Sequence, residues 1–121
     1  MATTATTIAG YFYEGVLDAQ AWSVGLDALR QATESGVYHH VAWDYQAQCV
    51  VAGLANELPP PEKVREYEQH HAPDDPRIPI IMAMQPGELL LDHAHFTPRA
   101  MAHSPIYADW LAPLGYRHTL G

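Results

Sequence analysis

The chain has 121 residues, of which 48 % are apolar and 17 % charged. That is enough apolar matter for one packed domain and too little charge for a disordered segment, since an average globular chain is roughly 25 % charged. Fourteen acidic and six basic residues give a net charge of -8, and a chain that neutralises phosphates needs a basic face. Direct nucleic-acid binding and adhesion to an anionic membrane are therefore excluded at this level. No apolar run approaches the roughly 18 residues of a membrane span. The first ten residues lack the basic flank and long apolar stretch of a secretory leader, and Cys49 stands alone, which forbids an internal disulfide. The expectation is a cytoplasmic chain.

Residues 1–10 are rich in Thr and Ala and read as loose, so the folded domain is expected over 11–121. A helix is predicted after Asp18, with Trp22, Leu26 and Leu29 on one face. Asp18 caps it, Leu17 and Trp22 have the spacing of a hydrophobic staple, and Gly36 ends it. Val37 to Trp43 reads as a strand, Asp44 to Ala47 as a turn, and Gln48 to Leu54 as the returning strand. Pro59-Pro60-Pro61 opens a helix whose inward stripe is Val64, Tyr67 and His71. Asp75-Pro76 starts another, carrying Ile80, Ile81, Met82 and Met84, and Pro86-Gly87 stops it. Glu88 to Phe96 is predicted as a strand. Thr97-Pro98 and Ser104-Pro105 read as cap-plus-proline helix starts, the second with Ile106, Tyr107, Trp110 and Leu111 on one face. Gly115 ends that helix, and Tyr116 to Leu120 begins a last strand. The fold class is α+β, an antiparallel sheet with helices packed on it, cut short at the terminus as in a fragment of a longer protein.

Eight histidines invite a metal reading. The sharpest pattern is Gly87, five residues, then His93-Ala94-His95, which resembles the opening of a cupin metal motif with two imidazoles on one strand face. The glutamate that motif requires next is absent, because Arg99 and Ala100 occupy its place. A His-rich metal-binding module or metal-dependent enzyme using His93 and His95 is thus the second reading, and the first assigns no metal and no cofactor. Adjacent His70 and His71 diverge by about 100° on a helix and cannot share an ion. His71 falls on the apolar stripe and lines a core or pocket. Nucleophilic catalysis finds no support. No Gly-x-Ser-x-Gly elbow is present, Ser104 is explained as a cap, and Cys49 lies in an apolar strand. No catalytic residue is assigned, and the chain is not expected to be an enzyme.

Aromatic residues carry the leading expectation. Rings from separate segments, joined by Met82 and a few polar tips, would line a cavity for a small apolar ligand. The expected lining is Trp43, Tyr67, His71, Met82, Phe96, Tyr107 and Trp110, with Asp75 as polar anchor.

Three motifs in order add a family resemblance. They are Tyr13-x-Gly15-Val16-Leu17-Asp18-x-x-x-Trp22, then Tyr67-x-x-x-His71-x-x-x-Asp75-Pro76-Arg77, then Ser104-Pro105-Ile106-Tyr107-x-Asp109-Trp110-Leu111-x-Pro113-x-Gly115. Over roughly residues 11–121 the chain resembles the N-terminal sensory region of LuxR-type bacterial transcription regulators. The resemblance implies a PAS-like or GAF-like domain that senses a small molecule and forms a homodimer. It also implies that DNA is bound by a separate C-terminal helix-turn-helix outside this chain. In the acyl-homoserine-lactone receptors of that group an aspartate ahead of proline accepts a hydrogen bond from the ligand amide. Asp75 matches it, although the tyrosine-to-aspartate spacing is about one residue short.

Overall fold

The structure is a computed structural model that describes residues 4–121. Helix and a two-stranded antiparallel sheet are combined in it, as the α+β class requires. The chain divides into two compact units, one ending at Leu58 and the other running from Pro59 to Gly121.

The first unit opens with α1 (Ala5–Glu14), where a loose terminus was expected. Thr4 explains the difference. Its Oγ1 accepts a hydrogen bond from the Thr7 amide at 3.1 Å, so a residue read as part of a polar tail acts as an N-cap. Helix α2 (Ala19–Ala32) follows as predicted, with Asp18 Oδ1 accepting from the Gln20 amide at 3.0 Å. It ends before Gly36, because Thr33 turns its hydroxyl back onto the Leu29 and Arg30 carbonyls. The staple does not form, since Leu17 is 96 % exposed. Trp22 packs instead edge-on against Phe12, with ring centroids 4.9 Å apart. It also lies over Gly15, where a Cβ would come within 2.8 Å of the indole. Buried apolar side chains here are few: Ile8, Ala21 and Leu26.

Strands β1 (His39–Asp44) and β2 (Cys49–Ala55) form the hairpin expected from the sequence. Asp44 builds the turn, its Oδ1 accepting from the Gln46 and Ala47 amides at 2.8 and 3.0 Å. Alternate residues His40, Ala42 and Asp44 are half-buried, and His40 meets the Trp22 ring at 5.6 Å. Val41 and Trp43 face the other way and are exposed, as are Val50 and Val51.

The second unit is mainly helical. Helix α3 (Pro61–Glu66) starts at its proline and widens into a π-helical segment, Tyr67–His71. Helix α4 (Arg77–Ala83) starts after Asp75-Pro76. The strand predicted over 88–96 is overturned. Only Leu91 pairs, with Leu120, and the chain then turns into the short helix α5 (Asp92–His95). The last predicted strand likewise reduces to that pairing, held by Leu90 and Gly121 exchanging amide hydrogen bonds at 2.6 and 2.7 Å. The Asp92 side chain is the physical reason. It accepts from the Thr119 amide at 2.7 Å, so the carboxylate occupies the place of a further strand rung. Helix α6 (Pro98–His103) is capped by Thr97, whose Oγ1 accepts from the Ala100 amide at 3.1 Å. Ser104 makes no such side-chain cap, and Ile106–Leu111 is a second π-helical segment. A single 3-10 turn, Ala112–Leu114, follows it, and Gly115 ends that turn with φ +89°, a backbone open to glycine at little cost. The core of this unit is Met101, Ile106, Tyr107 and Leu111, with Tyr67, Phe96, Trp110 and Tyr116 packed against it.

Candidate functional site

The second unit gathers its polar chemistry around Asp75, whose side chain is fully buried. Four donors reach this carboxylate. Tyr67 Oη donates to Oδ2 at 2.9 Å and Arg77 Nη2 to the same oxygen at 2.7 Å. The Arg77 amide and Nε both donate to Oδ1 at 3.0 Å. An ionised carboxylate offers about four lone-pair sites, so Asp75 is saturated. The side-chain pairing with Arg77 is the bidentate fork that guanidinium geometry favours.

These bonds set the protonation states. Burial alone would raise the Asp75 pKa, but the hydrogen bonds and positive charge of Arg77 outweigh it and hold the carboxyl below its usual range. Burial likewise works against the Arg77 charge, and Asp75 reverses that, raising its pKa. Tyr67 is pushed up to about 12, first by burial and then by the negative charge of Asp75. The site is thus a closed ion pair with a neutral phenol beside it.

Aromatic rings enclose it. Tyr67 lies against Trp110 with centroids 5.2 Å apart, and Trp110 Nε1 donates to the Lys63 carbonyl at 2.7 Å. The Arg77 guanidinium carbon sits 5.8 Å from the centroid of the Tyr107 ring, which in turn meets Phe96 at 6.1 Å. Burial pushes the Tyr107 phenol up to about 12, and its hydroxyl is buried with no hydrogen bond of good geometry. His71 is also buried. Its Nδ1 has no hydrogen-bond partner, and its Nε2 lies 3.7 Å from Glu66 Oε1.

Of the eight expected lining residues, Tyr67, Asp75, Tyr107, Trp110 and Phe96 come together in this cluster. His71 sits on the same π-helical segment as Tyr67. Met82 is half-buried on α4, and Trp43 belongs to the first unit, 38 % exposed. The rings interlock. The same unit carries an open apolar groove of about 580 Å³ lined by Pro79, Ile80, Ala83, Met84, Glu88, Leu89 and His95. None of the eight expected residues borders it. Arg77, the residue that fills Asp75, carried no role in the sequence reading, although the Asp-Pro-Arg triplet contains it.

His93 and His95 do not share a strand face. They stand two apart on the helical turn α5, where side chains diverge by about 200°. Among the described residues no group of three or more His, Cys, Asp or Glu is arranged to hold a metal ion. No helix among them is long and apolar enough to cross a membrane. Comparison with protein-family models, with curated proteins and with solved structures finds no match to this chain.

Proposed function

We propose that this chain is the small-molecule-sensing regulatory domain of a LuxR-type transcription regulator, of PAS-like or GAF-like architecture. It would bind a small apolar ligand and control a homodimer whose DNA-binding helix-turn-helix lies outside residues 1–121. One observation supports the reading above the others. Tyr67, Asp75, Tyr107 and Trp110 belong to two of the motifs that carry the resemblance, and they meet in a single buried cluster. Motif residues far apart in the chain are thus neighbours in the fold.

The guest in this reading occupies the groove along α4, whose volume lies within the roughly 300–1,000 Å³ usual for small-ligand sites. Helix α4 connects groove and ion pair. It begins at Arg77, in the grip of Asp75, and it presents Pro79, Ile80 and Ala83 to the groove. A ligand that prefers one position of α4 thereby shifts the Asp75–Arg77 equilibrium, and only such a difference in affinity can drive a switch.

Thermal denaturation with a panel of acyl-homoserine lactones and free fatty acids tests the proposal. A ligand at about a hundred times its Kd stabilises by about 2.7 kcal/mol, a rise in Tm of roughly 10 °C. Ile80→Asp should abolish that rise. No stabilisation by any member of the panel, together with no small molecule retained in native mass spectra of the purified chain, would overturn the sensing role.

A further inference from the structure

Asp92 is the second fully buried carboxylate of the unit, and the sensing role leaves it without a task. It accepts from the Thr119 amide at 2.7 Å, and His118 Nδ1 lies 3.3 Å from its other oxygen. The ring of His118 is 56 % exposed and stands edge-on to that of His93, with centroids 6.3 Å apart and planes at 86°.

We propose that His93 and His118 form a two-imidazole site for a borderline transition-metal ion such as Zn²⁺, with Asp92 as the carboxylate that orients His118. The separation of the rings carries the argument. With metal–nitrogen bonds of about 2.1 Å, two imidazoles on one tetrahedral ion have centroids ~5.4 Å apart. The observed spacing needs a closure of ~1 Å, which rotation of the exposed His93 side chain supplies while Asp92 holds His118. The buried carboxylate is the second argument. A neutral imidazole that donates its Nδ1–H to a fixed carboxylate keeps its lone pair on Nε2, and this carboxylate–histidine–metal relay is how proteins fix the tautomer of a metal ligand. The excess of acidic residues, which gives the chain a charge of -8, adds a general attraction for cations.

Two protein ligands leave two positions of a tetrahedral ion for water or an outside ligand, so the site binds more weakly than a three- or four-ligand centre. The inference does not depend on the sensing role and survives its failure. It also differs from the motif-based reading, in which His93 was paired with His95.

Isothermal titration of the full chain with ZnCl₂ tests it. The expected result is one equivalent bound more tightly than the background of the other histidines. His93→Gln and His118→Gln should each lower that affinity at least tenfold. Asp92→Asn should lower it by about 10–100-fold, the usual effect of removing an outer-shell carboxylate. The His39→Gln/His40→Gln double variant, in the other unit, should leave it unchanged. The imidazole proton resonances of His93 and His118 should move first in the titration. Equal affinity of the wild type, His93→Gln and His118→Gln chains would overturn the proposal, and so would a loss caused by the His39/His40 variant. Both decisive histidines are exposed, so the test stands even if Asp92→Asn fails to fold.

Discussion

Asp75 shows how a single buried carboxylate organises its surroundings. Its carboxylate is fully buried, so its charge rests on Tyr67 and Arg77. Arg77→Met removes the counter-charge and should cost about 3–5 kcal/mol, the usual loss when one member of a buried pair is deleted. The Asp75→Asn/Arg77→Met double variant should lose less than the sum of its parts, as read by urea denaturation, because no uncompensated charge remains. Tyr67→Phe removes one hydrogen bond to a charged acceptor and should cost about 1.5–3 kcal/mol. The pH dependence follows from the directions of the shifts. Asp75 is held below the ordinary carboxyl value of about 3.9, so its stabilisation is present above that value and is lost as the pH falls through the lowered one. Asp75→Asn should flatten that acid limb of the stability curve. Tyr67 and Tyr107 shift the other way, to about 12. Their contribution is present below about pH 10 and is lost as the pH rises through 12. A phenolate absorbance titration should show Tyr67 and Tyr107 ionising well above the usual tyrosine value, together with loss of the fold.

Among the elements, the two π-helical segments matter most for the site. Tyr67–His71 supplies Tyr67 and His71, and Ile106–Leu111 supplies Tyr107 and Trp110. A π-turn spends an extra residue per turn and is found disproportionately at functional sites. Here each segment also carries one buried polar atom without a hydrogen bond, His71 Nδ1 and Tyr107 Oη. The prolines and caps around them were legible in the sequence. Pro61 and Thr97-Pro98 start helices where expected, and Gly115 stops one. Thr97→Ala should cost about 1 kcal/mol through loss of the bond to the Ala100 amide, measurable as a lower denaturation midpoint with an unchanged slope. The π-widening was not legible, because an i, i+3, i+7 stripe such as Val64, Tyr67 and His71 fits an α-helix equally well. Nor was the end of the strand near Leu91. Leu89-Leu90-Leu91 reads as extended apolar chain, and only the later return of Thr119 to Asp92 decides where the pairing stops.

At the scale of the molecule, the boundary between units falls at Leu58 and Pro59. The residues around it, from Asn56 to Leu58, are exposed. Limited digestion with a glutamate-specific protease should therefore cut first at Glu57 and release two fragments close to the sizes of the units. A first cut within 61–114 would contradict that division.

Composition, caps, turn residues and prolines are local properties, so the sequence alone determined the mixed class, the α2 helix, the hairpin turning at Asp44 and most helix starts. It also singled out Asp75 and four of the aromatic residues that gather in its cluster. What only the tertiary structure decided was occupancy. Arg77 fills the carboxylate that the sequence left open for a ligand. The rings pack on one another while the groove opens beside α4, and His93 faces His118 across 25 residues of chain while His95 turns away. Periodicity tells which side chains share a face, but which donor reaches a buried acceptor depends on contacts between segments far apart in the chain.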